Sequence, residues 1–344
     1  MSFTIRDSPK LRDVAAGAGV STTTASLVLN GKTDGFPAST VEKVRDSATQ
    51  LNYRPNAVAR SLRRQRTHTV GVISDAIATT PFAGASIRGA QEVAWAAGHV
   101  LLLIDTDGDA TFERIAVGAL LERQVEGLIC ARMKHEVVDV PAELSEVPTV
   151  LLNARGRTQE YSSVAPDEVG GASTAVSRLI AAGHKRIGFI QSSYSIPAAE
   201  ERLIGYRRAL DQGGVEFDPT LVVPDPSEGA SPDAVIHLLE RSAPPTALFC
   251  FNDMTAVGAY NAASRLGLSI PEELSIIGFD NQEALARRLD PALTTIQLPH
   301  YEMGRWAMEH LERLIQGDHA DPIQHRMDCP LVERDSVALR GRSQ

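Results

Sequence analysis

Residues 51–67 read LNYRPNAVARSLRRQRT, and how this stretch is understood decides how the rest of the chain divides. Pro55 has the fixed φ that suits the first turn of a helix, and residues 56–63 contain neither Gly nor a second Pro. About two turns are expected, and so short a helix is marginal on its own. Val58 and Leu62 stand four residues apart and share a face, while Arg60, Arg63, Arg64 and Arg66 load the remainder with positive charge. Two readings are open. One is a segment that orders on DNA, with its arginines on phosphates and Leu62 wedged between base pairs in the minor groove. The other is an amphipathic linker helix that docks Val58 and Leu62 on its own domain.

On either side of this joint the chain changes character. Residues 1–66 hold 11 Lys and Arg against 5 Asp and Glu, a net of +6, and the remainder holds 23 against 38, a net of −15. The formal total of −9 hides that asymmetry. A basic head on an acidic body suits a nucleic-acid reader attached to a separate globular part; a solvated basic extension is the alternative. At 344 residues there is room for two or three cores. Hydrophobic content of 43% and charged content of 22% are ordinary for a globular protein, and no apolar run reaches the roughly 18 residues of a membrane span. MSFTIRDSPK has no apolar leader core, and there are three cysteines, Cys130, Cys250 and Cys329, so a reducing, cytoplasmic setting is expected.

Before the joint, residues 11–30 read LRDVAAGAGVSTTTASLVLN. Leu11, Val14 and Ala15 fall at helical spacing, Gly19 supplies a turn, and Ser21 caps a second helix that runs to Leu29. The pattern is a helix-turn-helix, whose second helix places its first residues against base edges in the major groove; a helical hairpin without function is the alternative. A third helix over Ala38–Leu51 would close a small core with Val41, Val44, Ala48 and Leu51.

DVAAGAGVSTTTASLVLNG, followed by VEKVRDSATQLNYRPNAVARSL, resembles the headpiece and hinge of the lactose-repressor (LacI/GalR) family of bacterial transcription regulators. The resemblance extends over Leu11 to Val337. It implies that Thr22 and Thr23 read the major groove, that Thr24, Ser26 and Asn30 hold phosphates, and that Leu62 is the minor-groove wedge. Leu11, Leu27, Asn56, Ala59 and Arg63 complete the set expected at DNA. Two departures stand out. Leu27 occupies a position where the family usually has arginine, so contact with a thymine methyl replaces a bidentate guanine contact. The KTDGFPAS loop is one residue longer than usual, with Pro37 where a capping serine is common.

Beyond Thr67, short apolar runs alternate with helical stretches. Runs at 70–74, 100–105, 127–131 and 149–153 form one set; 186–191, 246–251, 274–280 and 294–298 form another. Between them lie helical segments at Ala85–Ala97, Thr111–Arg123, Gly171–Ala182, Ala199–Asp211 and Thr255–Leu266. This alternation predicts two doubly wound parallel-sheet subdomains facing a cleft, finished by the helix HYEMGRWAMEHLERLIQG and one strand in HRMDCPLVERDSV. The resemblance likewise implies a core similar to periplasmic sugar-binding proteins. The expected division is 1–54 headpiece, 55–67 hinge and 68–344 effector-binding and dimerisation core.

Ligands of open parallel sheets gather beyond the carboxyl ends of the strands. That rule selects Asp75, Phe82, Asn153, Arg155, Asn252, Asp253, Asp280 and Asn281, each of which could equally be a cap or a loop hydrogen bond. Arg202 matches the family's effector-binding arginine. Carboxylates, amides and one arginine suit a polyhydroxylated ligand, so a sugar or sugar derivative is the expected effector; nucleosides, nucleobases and phosphosugars are the alternatives.

Enzymatic signatures are missing. No GxGxxG follows the first strand, and GxxxxGK[ST], HExxH and GxSxG do not occur. The nine histidines show no metal-ligand spacing, and His184 is expected to cap a helix C-terminus. The expectation is a cytoplasmic, nucleoid-associated homodimeric repressor on a pseudopalindromic operator, without cofactor or metal. No heptad tail for tetramerisation follows Val337. A solute-binding protein and a DNA-binding metabolic enzyme are the rivals.

Overall fold

Ser21 starts the second headpiece helix as its sequence suggests, its hydroxyl accepting the backbone N–H of Thr24 at 3.0 Å. In the computed structural model α1 spans Leu11–Ala18, α2 Thr22–Leu29 and α3 Ala38–Gln50. Gly19 ends α1 at φ 66°, returning N–H bonds to the last turn. Val14, Ala15, Ala18, Ala25, Val28, Val44 and Ala48 form the core. Leu51 does not join it: α3 stops one residue short, Leu51 stays 37% exposed, and Phe36 and Tyr53 cover the core instead. Pro37 precedes α3 without a side-chain cap.

The described residues are 9–54, 66–77, 80, 84–225, 231–318 and 320–340, divided between compact units Met1–Thr67 and His68–Gln344. Pro55, Asn56, Val58, Ala59, Arg60, Leu62, Arg63 and Arg64 of the joint, and Phe82, lie outside them.

The second unit contains two six-stranded sheets of matching strand order. The first comprises β1 (Thr69–Ser74), β2 (Val100–Asp105), β3 (Gly127–Val138), β4 (Thr149–Gly156), β5 (Ser162–Pro166) and β11 (Gln324–Met327), in the order β11-β5-β4-β3-β1-β2. The second comprises β6 (Ile187–Ser192), β7 (Val222–Asp225), β8 (Ala247–Cys250), β9 (Ser275–Asp280), β10 (Thr294–Gln297) and β12 (Leu331–Val332), ordered β12-β10-β9-β8-β6-β7. Every pairing is parallel except β10 with β12. Helices α4 (Gly84–Ala96) and α5 (Ala110–Glu122) belong to the first lobe; α6 (Glu168–Ala181), α7 (Pro197–Gln212), α8 (Asp233–Leu239), α9 (Asp253–Leu266) and the short α10 (Glu283–Ala286) belong to the second. α6 and α7 begin earlier than their apolar periodicity suggests, because Asp167 caps one and Pro197 opens the other.

The chain passes between lobes three times. After β5 it enters α6; after β10 it returns in α11 (His300–Ile315), whose Met303, Ala307, Met308 and Leu311 pack in the first lobe's core. Gly304 brings α11 against α4, since a Cβ there would meet the Ser86 carbonyl at 1.9 Å. The third passage corrects the single strand expected in HRMDCPLVERDSV. That stretch is divided between β11 in one sheet and β12 in the other, with buried Cys329 between them.

Candidate functional site

On the headpiece, α2 turns Ala25 and Val28 inward and leaves Thr22 and Thr23 exposed at its start. Thr24, Ser26 and Leu27 are half-buried beside them, and Asn30 at the C-cap donates from Nδ2 to the Ser26 carbonyl at 2.6 Å. Leu11 is half-buried against the core. The helix N-terminus, with Thr22 and Thr23 outermost, offers N–H groups and hydroxyls to a phosphate or a base edge.

In the core, the carboxyl ends of the two sheets are furnished differently. In the first lobe Asp75 is occupied with backbone: its Oδ1 and Oδ2 accept the Met133 N–H at 2.9 and 3.1 Å, and Oδ1 accepts that of Ala76 at 2.6 Å. Asn153, at φ 55°, donates from Nδ2 to the carbonyls of Arg132 and Met133, both at 3.0 Å. Together they pin the irregular segment of β3, where the register against β4 shifts between Ala131 and Glu136. Arg132 is buried there, bidentate to Glu113 at 2.8 Å and 3.2 Å from Glu136. Arg155 is exposed and stands apart from this group, lining a cavity of about 500 Å³ with His135, Arg157, Gln324 and Arg326. Burial, helped by Arg326, Arg155 and Arg202, pushes His135 down to about 3.

In the second lobe Arg202 from α7 is buried at 3% exposure. Its Nε donates to Glu168 at 2.7 Å, Nη1 donates to the Phe251 carbonyl, and Nη2 stands 3.7 Å from Asp280. The guanidinium also stacks 3.7 Å from the Phe279 ring centroid and 4.4 Å from that of Phe251. Asp253, fully buried, accepts from Thr295 Oγ1 and from the Gln282 N–H, each at 2.6 Å. Gly278 makes room, since a Cβ there would lie 2.3 Å from Asp253 Oδ1. One arginine faces several buried carboxylates. Glu168 holds the shorter contact, and desolvation pushes Asp280 up to about 7 and Asp253 up to about 6. His300 is driven down to about 4 by burial and by Arg202.

Asn252 is a helix cap: its Oδ1 accepts the Thr255 N–H at 2.8 Å and Thr255 Oγ1 at 3.0 Å. Asn281 bridges Gln297 Oε1 and Arg334 at 3.1 and 2.7 Å. His184 caps α6 through its backbone N–H, which donates to the Leu179 carbonyl at 3.1 Å, while its side chain is engaged elsewhere. It is buried at the opposite end of the second sheet, 2.9 Å from Thr246 Oγ1 and 3.0 Å from Ser275 Oγ.

Lys134 and Tyr194, which follow β-strand runs but were not selected from the sequence, meet across the cleft with the ammonium 3.9 Å from the ring centroid. Arg326 and Glu201 join the lobes again at 2.9 Å. Between Lys134, Tyr194, Asp225, Phe251, Asn252 and Thr255 remains a cavity of about 50 Å³, far below the ~300 Å³ lower bound of small-molecule sites.

A helix-turn-helix unit joined in one chain to a two-lobed, cleft-bearing core defines a DNA-binding regulator that senses a small molecule. The chain belongs to the lacI family of bacterial regulatory proteins. That family's profile matches residues 10–56, and a periplasmic binding protein-like domain matches 176–337. The chain is 35% identical to the HTH-type transcriptional repressor CytR of Escherichia coli (strain K12), over 95% of this chain and 96% of that protein. It is 33% identical to the HTH-type transcriptional repressor PurR of Vibrio atlanticus, over 95% and 98%. The lac repressor dimer bound to operator and the anti-inducer ONPF superposes with a TM-score of 0.79 at 26% identity, covering 96% of this chain and 99% of that one. The transcriptional regulator CelR in complex with cellobiose gives 0.66 at 29%, covering 95% and 99%. The protein is a transcription regulator and not an enzyme. No helix among the described residues is long and apolar enough to cross a membrane.

Proposed function

We propose that the protein is a cytoplasmic, homodimeric repressor of a pseudopalindromic operator, and that its effector is a neutral, hydroxyl-rich ring, a sugar or sugar derivative, held between the lobes. Thr22, Thr23 and Leu27 face bases, Leu11, Thr24, Ser26 and Asn30 hold the backbone, and Asn56, Ala59, Leu62 and Arg63 complete the contact from the hinge. The division into headpiece 1–54, hinge 55–67 and core 68–344 goes with this reading. Dimerisation is supported by an exposed apolar strip, Trp95, Val100, Leu102, Phe112 and Ile115, along the edge strand β2 and its flanking helices. The observation that carries the effector class is the chemistry of the cleft wall. Tyr194 and Phe251 offer ring faces, Ser192, Asn252 and Thr255 offer polar groups, and the one carboxylate among the lining residues, Asp225, balances the one cation, Lys134, while Arg202 is committed to Glu168. Such a wall carries no surplus positive charge to hold a phosphate and accepts hydroxyls. The similarity to CelR in complex with cellobiose points the same way.

A thermal-shift screen of the full chain against sugars, phosphosugars and nucleosides, followed by operator binding with each hit, tests this. A neutral sugar should raise Tm and change operator affinity by 5–150-fold, the range of ordinary allosteric coupling of about 1–3 kcal/mol. Stabilisation by phosphosugars or nucleosides alone would replace the effector class.

A further inference from the structure

Three residues without local pattern in the sequence, His68, His99 and Glu126, are brought together by the first sheet. His68 immediately precedes β1, His99 immediately precedes β2, and Glu126 immediately precedes β3, and these are neighbouring strands with β1 at the centre. The group therefore sits at the amino ends of the strands, opposite the effector cleft. One donor atom from each lies within 4.8 Å of the others.

We propose that His68, His99 and Glu126 form a binding site for a divalent transition-metal ion, with Zn²⁺ the ion that suits the donors, and that Glu312 orients His99 within it. His99 is 3% exposed; its Nε2 lies in hydrogen-bond geometry 3.2 Å from Glu126 Oε2, and its Nδ1 lies 2.7 Å from Glu312 Oε1 on α11, close but off the line of a hydrogen bond, so that a small rotation of the ring on metal binding would align the two. An imidazole that faces a ligand carboxylate with one nitrogen and a second carboxylate with the other has the arrangement of metal-binding histidines. There the outer carboxylate fixes the tautomer and raises the basicity of the inner nitrogen. Glu126 is itself held by the His68 backbone N–H, which donates to Oε1 at 2.6 Å, leaving Oε2 facing His99. The rings of His68 and His99 are 5.6 Å apart between centroids.

Two imidazoles and one carboxylate suit Zn²⁺ and its neighbours; Ca²⁺ and Mg²⁺ prefer oxygen ligands. Zinc bonds of ~2.0–2.1 Å place tetrahedral ligand atoms about 3.3 Å apart. Binding therefore draws the group inward, with the half-buried His68 ring moving most, and replaces the His99–Glu126 hydrogen bond with two metal bonds. Three protein ligands leave a fourth position for water. His68, at φ 50°, is also the residue through which the chain passes from the linker into β1.

The full-length protein, stripped with chelator, is titrated with Zn²⁺ against a chromophoric chelator, and with Co²⁺ while its visible d–d absorption is followed. Wild type should take up one Zn²⁺ per protomer with micromolar or tighter Kd and give a Co²⁺ spectrum of low coordination number. His68→Ala should lose both while keeping a single cooperative unfolding transition. Glu312→Gln should keep the stoichiometry and weaken affinity ~10–100-fold, as loss of an orienting carboxylate does. His237→Ala, which alters an exposed imidazole on α8, should match wild type. Equal zinc affinity in wild type and His68→Ala, uptake lost only in His237→Ala, or no uptake by wild type would each overturn the site.

Discussion

The two lobes of the core share a strand order, yet their carboxyl ends solve the same electrostatic problem differently. Each buries an arginine there. Arg132 in the first lobe is met by Glu113 and by Glu136, whose side chain is 35% exposed, so water shares the charge. Arg202 in the second is met by Glu168 and Asp280, 1% and 9% exposed, with two aromatic rings closing over it. Topology fixed where the cleft would be; local side chains decided that one rim would be held by backbone hydrogen bonds and the other by a buried charge cluster. The same rule of strand ends therefore selected residues of two kinds.

That contrast is broken most severely at Arg202. Arg202→Ala removes the partner of Glu168 and Asp280 and should cost about 3–5 kcal/mol of unfolding free energy, the usual penalty for stranding a buried charge. Urea unfolding followed by circular dichroism reads it. A loss below about 1 kcal/mol would mean that the carboxylates protonate without penalty and that the cluster contributes little to stability. Any loss of ligand response in this variant must then be separated from its loss of stability, because the guanidinium holds the fold as well as the cleft wall.

In the first lobe the corresponding change is smaller. Asn153→Ala deletes two hydrogen bonds to the carbonyls of Arg132 and Met133 and puts alanine at φ 55°, where asparagine is tolerated better. About 1–3 kcal/mol should be lost by the same assay. Equal losses for Asn153→Ala and Arg202→Ala would erase the distinction between the rims.

Much of this was legible in the chain because the signals were local. Ser21 before TTTASLVL, Gly19 after LRDVAAGA, and β-rich runs at regular intervals each imply their element from a few neighbouring residues. The site was legible only as positions. Asp75, Asn153 and Asn252 follow strands as a ligand contact would, but the partners that occupy them are backbone groups of Met133, Arg132 and Thr255, whose positions depend on register and on the β3 irregularity. Glu168, which ties down Arg202, carried no strand signal, because β5 reads SSVAP and its pairing with β4 and β11 comes only from the sheet. β7, an edge strand containing Pro224, and the division of HRMDCPLVERDSV between sheets are likewise tertiary outcomes. His68, His99 and Glu126 are 31 and 27 residues apart in sequence, and only strand order makes them neighbours.

The smallest expected effect is also the most discriminating, because the buried carboxyls and the buried histidines titrate in opposite directions. Asp280 and Asp253 have folded values of about 7 and about 6 against 3.8, so between those limits the folded chain binds more protons than the unfolded one. Their contribution to stability grows as pH falls from 8 towards 4 and is lost as pH rises through 6 and 7. His135 and His300 sit at about 3 and about 4 against 6.5, so the unfolded chain binds more protons below 6.5 and their contribution is lost as pH falls through that range. Below about pH 7.5 the unfolded histidines begin to protonate as well, so over pH 8–6.5 a gain of about 1 kcal/mol from the two carboxyls is nearly cancelled by a loss of about 0.8 kcal/mol from the two histidines, and wild-type stability should change by less than about 0.5 kcal/mol. Asp280→Asn should unmask the histidines, its stability falling by about 0.6 kcal/mol over the same range, as urea midpoints at half-unit pH intervals will show. A wild type that falls as steeply as the variant would mean that Arg202 keeps Asp280 ionised, and that the second lobe resembles the first in charge after all.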